Sequence, residues 1–338
     1  MKAIIYRRDD PALRLVDRAQ PAPADGEVLV RVAVSGVNPT DWKGRRNPYP
    51  GTPAGADLVP NQDGAGTVVD VGAGVDRARV GERVWLWEAA WQRTDGTAQE
   101  FVAIPADHAA PLPANASFEL GASLGIPAMT AHRCLTVAEG GPDQLSPGAL
   151  AGRTVLVAGG AGAVGHAAIE LARWAGARVV ATVSSEEKAR LARAAGAHAV
   201  VNYREAAAAD AVRAAAPDGV HIVVEVAPVA NAELDTAVLA AGGCVAAYAS
   251  GAEPSVALPV RQLMGRNIRW QFVLVYTMPD DAKRRAVAAI CAALSGGALH
   301  AGEDAGLPLR RFPLAQTEAA HDAVEGGAIG KVLVTVGE

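Results

Sequence analysis

Three glycines are the residues best placed to do chemistry in this chain. Gly160, Gly162 and Gly165, within Gly159-Gly160-Ala161-Gly162-Ala163-Val164-Gly165, form a G-x-G-x-x-G run between an apolar stretch at 154–158 and an amphipathic one at 166–174. In a strand-turn-helix setting, such glycines provide a tight turn, a close approach of backbone to a pyrophosphate, and close packing of helix on strand. The helix start at Ala163 and Val164 offers N–H groups and the positive end of a dipole to phosphate oxygens. The pattern points to a dinucleotide.

Which dinucleotide is decided at the end of the next strand, about 20 residues further on, where NAD proteins place an acid on the ribose 2′-hydroxyl. Here the chain reads Thr182-Val183-Ser184-Ser185-Glu186-Glu187-Lys188. Ser184, Ser185 and Lys188 suit a 2′-phosphate, because hydrogen bonds to charged groups contribute about 1.5–3 kcal/mol. The expected cofactor is therefore NADP(H), with Tyr203 covering the adenine side. Ser184 and Glu187 also fit a capping box, which is compatible with phosphate binding. Glu186 or Glu187 on the ribose hydroxyl would instead favour NADH.

These groups need a scaffold, and its texture changes along the chain. The first third has strand character at 27–34 and 64–71, punctuated by Gly, Pro and Asp. From about residue 127, Ala-rich helical periods alternate with short apolar runs at 154–158, 178–182, 199–202, 222–226, 244–248 and 270–275. Six such runs make the parallel sheet of a full dinucleotide-binding domain. A helix at 280–295 and a closing strand at 331–336 follow, the latter similar in texture to the first module.

Composition bounds the rest. The 338 residues suggest two domains at about 100–200 residues each. Half are hydrophobic and a fifth charged, as in a globular protein with a sizeable core. A net charge of −5 without a basic stripe argues against nucleic acid or anionic membrane, leaving small molecules as partners. The charged N-terminus and the lack of a long apolar run lead us to expect a cytoplasmic protein. Cys134, Cys244 and Cys291 form no CxxC pair and read as small core hydrophobes. The seven histidines give no ligand pattern, His166 being only a possible phosphate neighbour.

Several markers occur together: Gly36-Val37-Asn38-Pro39-Thr40-Asp41, Asp63-Gly64-Ala65-Gly66 with Val71-Gly72, the glycine loop, Ser184-Ser185 with Lys188, Asn202-Tyr203, and Gly330-Lys331-Val332. With these the chain resembles the medium-chain dehydrogenase/reductases nearly end to end, in particular their zinc-free quinone oxidoreductase, zeta-crystallin-like branch. The resemblance implies an α/β protein with a GroES-like β-rich catalytic domain at 1–124 and 298–338 and a Rossmann NADP(H)-binding domain at 125–297. Zinc relatives have a cysteine and a Gly-His-Glu where this chain has Asn38 and Gln62, and a four-cysteine lobe without counterpart between Arg83 and Gln99, so no metal is expected.

By the same resemblance, Asn38, Asp41 and Tyr49 line the substrate cleft, which the family places between its two domains. Tyr49 stands eight residues past Asp41, a spacing shared with quinone and enoyl reductases, where the tyrosine is a proposed proton donor. A half-buried loop tyrosine between Pro48 and Pro50 is the competing reading. Lys43 departs from a tyrosine found in many quinone reductases. Thr130 matches a threonine near the nicotinamide, and Phe272 and Val273 match a segment that approaches the carboxamide and helps pair subunits. Lys331 joins the cofactor-binding set. The implied activity is zinc-independent hydride transfer from NADPH to a quinone by a homodimer. The alternatives are an enoyl or enone reductase, and a non-catalytic NADPH-binding protein.

Overall fold

The structure, a computed structural model, describes residues 1–251 and 255–337. The polypeptide divides into two compact units, Met1–Ile126 with Leu309–Glu338, and Pro127–Pro308.

The first unit opens with an antiparallel hairpin, β1 (Lys2–Arg7) and β2 (Asp10–Asp17). The long strand β3 (Glu27–Val37) follows, then helix α1 (Pro39–Arg46), β4 (Asp63–Val71), β5 (Arg83–Leu86), β6 (Phe101–Pro105) and β7 (Ala109–Pro111). β3 organises the sheet because its neighbours lie on both sides: it pairs antiparallel with β4 and with β6. Val28, Val30 and Val32, at alternate positions of β3, are at most 1% exposed and share one core with Val68, Val84, Val102 and Ile104. Helix α2 (Phe118–Leu135) is two segments broken at Gly125, whose backbone is not helical, just before Pro127. A proline lacks the N–H that a continuous helix needs there, and the first unit ends at Ile126, between the two.

The second unit alternates strand and helix: β8 (Thr154–Ala158), α3 (Ala163–Trp174), β9 (Arg178–Val183), α4 (Glu186–Ala194), β10 (Ala199–Asn202), α5 (Ala208–Ala215), β11 (Val220–Glu225), α6 (Pro228–Val238), β12 (Leu239–Ala247), α7 (Val260–Met264), β13 (Arg269–Phe272) and α8 (Asp280–Ser295). All five strand pairings are parallel, in the order β10-β9-β8-β11-β12-β13. This is the expected six-stranded Rossmann sheet. Strands covered on both faces read as unbroken apolar runs, and β8, Thr-Val-Leu-Val-Ala, is buried throughout. The strands at 154–158 and 199–202 and the helix at 280–295 fall where the sequence puts them. The expected run at 270–275 stops as a strand at Phe272, because residues 275–277 turn into a short 3₁₀ segment.

After α8 the chain stays on the second unit as far as Pro308. His300 hydrogen-bonds Glu170 of α3, and Gly306 lies so close to α4 that a Cβ there would meet the Leu191 carbonyl oxygen at 2.2 Å. The second crossing thus comes eleven residues past the expected 297/298 and the first two past 124/125. The chain then returns as β14 (Leu309–Pro313), α9 (Thr317–Glu325) and β15 (Lys331–Thr335), the last paired antiparallel with β3. This return builds a second core in the first unit from Ile4, Val37, Leu314, Ala320, Val332 and Val334.

Cys134 and Cys244 are buried as expected, whereas Cys291 is only partly so. No described helix is long and apolar enough to cross a membrane.

Candidate active site

In the second unit the glycine loop divides its labour differently from the sequence reading. Gly159, not Gly160, takes the left-handed turn conformation, at φ +70°. The N–H groups of Gly159 and Gly160 both donate to the Thr182 carbonyl, at 3.0 and 3.2 Å, and that of Gly162 donates to Gly159. Gly160 is needed for packing, since a Cβ would lie 2.9 Å from Ala181 Cβ. Gly165 is needed more, since its Cβ would lie 2.3 Å from the Gly159 carbonyl oxygen. Gly162, the N-cap of α3, is exposed, and a Cβ there would make only an ordinary contact, 3.5 Å from the Gly159 carbonyl oxygen. A glycine N-cap has no side chain to cap the helix, so the first-turn N–H groups of Ala163, Val164 and Gly165 have no i−4 partner within α3. Such a helix start presents N–H groups of the kind that bind phosphate.

At the carboxyl ends of β9 and β10, Lys188 Nζ donates to Ser184 Oγ at 3.1 Å. The helix cap is Ser185, whose Oγ accepts the Lys188 N–H at 3.3 Å, so the expected Ser184–Glu187 capping box does not form. Capping by Ser185 leaves the Ser184 hydroxyl to the ammonium. Glu186 is turned toward Arg193, at 2.7 Å on the surface. Tyr203 follows β10, its N–H bonded to the Val183 carbonyl and its side chain 44% exposed. The fold thus gathers Ser184, Lys188 and Tyr203 at one sheet edge.

The sheet order reverses between β8 and β11, the crevice where open α/β sheets bind ligands. Past the ends of β11, β12 and β13 lies a cavity of about 400 Å³ whose walls include Pro228, Val229, Tyr248, Ser250, Phe272 and Val273. Phe272 and Val273 both line it, and not as a buried strand: Phe272 is 64% exposed and Val273 is 8%. Thr130 is buried on the second segment of α2. His166 is no phosphate neighbour, since it is buried with Nε2 against Glu170 and the His300 carbonyl, each at 3.1 Å.

In the first unit a buried polar cluster stands between β3, α1, β4 and β15. Asn38, the N-cap of α1, donates its backbone N–H to Asp41 Oδ2 at 2.7 Å, and Asp41 Oδ1 accepts the Gln62 N–H at 3.2 Å. The Asn38 side chain donates to Asp63 Oδ2 at 2.6 Å and accepts from Lys331 Nζ at 2.7 Å. Lys331, expected at the cofactor, is 1% exposed and ion-paired with Asp63 at 3.2 Å, an interior position. Asp63 is the hub, its other oxygen accepting the Ile126 N–H at 2.8 Å. Gly36 makes room for this cluster, since its Cβ would lie 2.1 Å from the Ala122 carbonyl oxygen and 3.1 Å from Lys331 Cε. Sequence reasoning missed Asp63 as a functional position. Its signal was the acid preceding Gly64-Ala65-Gly66, in a stretch otherwise free of charge from Leu58 to Val69.

Asp41 and Tyr49 line one small cavity of about 30 Å³ with Tyr6, Gln62, Trp91 and Arg93, room for about one water. The Tyr49 ring lies on α1 because Gly44 has no Cβ, which would approach ring carbon Cε2 to 2.7 Å. Its other contact is a tilted ring pair with Trp91 at 5.6 Å. Burial pushes the Asp41 carboxyl up to about 8 despite its two backbone donors. Burial, and then the charge of Asp41, raise the Tyr49 phenol above its ordinary value. Lys43 leaves this cavity and stacks its ammonium 5.5 Å above the Trp42 ring.

Two family models cover most of this chain: the alcohol dehydrogenase GroES-like domain over residues 24–114 and zinc-binding dehydrogenase over residues 163–291. A GroES-like domain with a Rossmann sheet is the architecture of a two-domain dehydrogenase. The chain is 31% identical to the quinone oxidoreductase of Rattus norvegicus over 320 residues, 94% of this chain and 92% of that one. Among solved structures it is similar to an NAD-dependent alcohol dehydrogenase, 28% identical with a TM-score of 0.85 over the whole of both chains. It is equally similar in sequence to a mycobacterial protein complexed with NADPH, 28% identical with a TM-score of 0.79 over 99% of each chain. The chain belongs to the medium-chain dehydrogenase/reductase superfamily and is an oxidoreductase of that family.

Zinc, which one of these family descriptions names, does not fit the residues present. The Asn38 amide is held between Asp63 and an ammonium that would repel a dication, and Gln62 Oε1 accepts the Ala90 N–H at 3.1 Å. Among the described residues no group of three or more His, Cys, Asp or Glu could hold a metal ion.

Proposed function

We propose that this protein is a zinc-independent, NADPH-dependent oxidoreductase that reduces a quinone. The observation carrying the cofactor is the Ser184–Lys188 hydroxyl-ammonium pair on the same sheet edge as the uncapped start of α3. The first-turn N–H groups of α3 hold the pyrophosphate, and Ser184, Ser185 and Lys188 take the 2′-phosphate, with Tyr203 on the adenine. Phe272 and Val273 wall the nicotinamide end. The NADPH-bound mycobacterial structure supports this choice, while the NAD-dependent relative makes the 2′-phosphate contacts the deciding feature. Likeness to the rat quinone oxidoreductase supports the acceptor.

When bound, NADPH supplies the hydride. The first unit supplies orientation and a proton. A phenol with a raised pKa keeps its proton at neutral pH, and the Tyr49 hydroxyl is the donor we assign. Asp41, holding its own proton below about pH 8, lines the same cavity without adding a charge there. Asn38, Asp63 and Lys331 position this wall, because their polar groups are spent on one another. Hydrogen-bond donors thus take the part of a Lewis acid.

Enone reduction is the second reading, favoured by Tyr49 facing a water-sized cavity with Asp41, since the enolate formed by hydride addition to the β-carbon must take up a proton at a fixed place. Steady-state rates with NADPH on quinone and enone panels separate the two, and NADPH binding without turnover on either would mark a non-catalytic binder. Tyr49→Phe should slow the enone reaction by about 10²-fold or more, the usual scale of general acid catalysis, and the quinone reaction much less. Equal losses on both panels remove the special role of Tyr49.

Cys134 and Cys244, buried and in no disulfide, suit a reducing cytoplasm. We assign a homodimer to the edge strand β13, near which Val260, Met264, Phe272 and Leu274 are 46% to 71% exposed.

A further inference from the structure

Two buried carboxyl groups in the second unit have no part in the chemistry above. Glu225 ends β11 and is 0% exposed, and Asp235, on α6, is 1% exposed. Glu225 accepts the Ala227 N–H, and Asn231 Nδ2 lies 3.0 and 3.1 Å from its two oxygens. Neither oxygen of Asp235 receives an N–H or a hydroxyl proton, and the group that faces them is the Glu225 carboxyl. Two adjoining carboxyls without a cation cannot both be ionised, so one proton lies between them. Asp235 keeps it, because burial and the neighbouring Glu225 charge raise its pKa far above the ordinary value.

The other groups facing the pair bring no charge to it. Asn231 on α6 is neutral, and Tyr248, which follows β12, is held protonated by burial, as is Cys134 beyond it on α2. The shared proton is therefore the switchable element. Its position in the fold gives it leverage. The turn from β11 to α6, residues 226–229, puts Val226 against the glycine loop, its Cγ1 3.2 Å from where a Gly159 Cβ would stand. The same turn contributes Pro228 and Val229 to the wall of the 400 Å³ cavity. One short segment thus touches both the phosphate loop and the proposed nicotinamide end.

We propose that Glu225 and Asp235 are positioning residues for the dinucleotide: the proton they share fixes the β11–α6 turn, and its loss displaces the turn and weakens NADPH binding. With the proton in place, Asp235 donates to Glu225, and Glu225 in turn holds Ala227 and Asn231 in the geometry that shapes the wall. With it gone, two like charges in a buried site push β11 and α6 apart. The inference rests on the second unit being the NADPH site.

The test is NADPH affinity of the full-length protein, by fluorescence titration from neutral to alkaline pH, with Asp235→Asn and Asp235→Leu beside the wild type. Wild-type affinity should fall about tenfold on deprotonation, a common size for coupling between two sites. Asp235→Asn keeps a donor that does not titrate, so it should bind like wild type at neutral pH and lose the alkaline fall. Asp235→Leu, with no donor, should bind weakly at every pH. An Asp235→Asn profile that follows wild type, or tight neutral binding by Asp235→Leu, overturns the proposal. Hydrogen exchange of the Val226, Ala227 and Val229 amides across the same range reads the turn directly. If wild type binds no NADPH, the functional reading fails, while alkaline loss of protection in wild type but not in Asp235→Asn still decides the turn. Unchanged protection in both overturns it.

Discussion

His321 shows how far single residues set the behaviour of the first unit. Its ring is 0% exposed, and Nε2 donates to Asn61 Oδ1 at 2.8 Å. Asn61 holds a left-handed backbone at φ +76° and passes the chain on through Ser35 and Thr97 to the Asp63 carbonyl. Burial pushes the pKa of His321 down to about 3, with Arg45 adding to the effect. The unfolded chain takes up a proton near pH 6.5 that the folded one refuses. Stability from this group is therefore complete above pH 6.5 and is lost as pH falls toward 3, about 2 kcal/mol of it by pH 5. His321→Gln keeps an amide donor for Asn61 and should flatten that acid loss by the same amount in urea unfolding at pH 7 and 5. An unaltered slope would assign the acid sensitivity elsewhere, His132 being the next candidate with a pKa near 4. Individual side chains were only partly legible in the sequence. Ser184 and Lys188 could be picked by spacing, whereas Lys331 could not be placed, because its partners Asn38 and Asp63 lie 293 and 268 residues away.

Elements explain why the glycine loop tolerates some changes and not others. Gly162→Ala adds a methyl that meets only the Gly159 carbonyl oxygen, at an ordinary 3.5 Å, in a backbone conformation any residue adopts, so folding should be nearly unchanged while NADPH affinity drops as the pyrophosphate surface is filled. Gly165→Ala puts that methyl 2.3 Å from a carbonyl oxygen, forcing α3 off β8 and lowering thermal stability as well as affinity. Melting curves and titrations of the two variants check this, and a Gly162→Ala that binds normally would remove the phosphate role of that surface. Strands and helices were the most legible scale. A strand buried throughout announces itself as an apolar run, as β8 does, and β8, β10 and α8 were located to the residue. β12 was read short, from 244 instead of Leu239, because Ala240-Ala241-Gly242-Gly243 carries neither β-branched residues nor alternation. The Ser185 cap was misread by one position, since Ser184-x-x-Glu187 fits the capping-box pattern but either serine hydroxyl can cap, and only the backbone decides.

At the scale of the whole molecule, the end-to-end likeness to quinone oxidoreductases covers both units; the family resemblance implied a return of the chain to the first unit at 298, eleven residues before Leu309, while the residues alone showed only a closing strand of familiar texture. The apolar surface by β13 makes self-association the expected state. Met264→Glu, at a position 71% exposed, should halve the mass seen by light scattering, and a monomeric wild type would refute the assignment. Hydride transfer from NADPH without a metal can be checked by the rate of NADPH oxidation with a quinone before and after exhaustive chelation, with NADH as the competing donor. The rate should be unchanged after chelation, and NADPH should be clearly preferred. Loss of the rate on chelation with recovery on adding zinc, or equal use of NADH, would contradict this assignment.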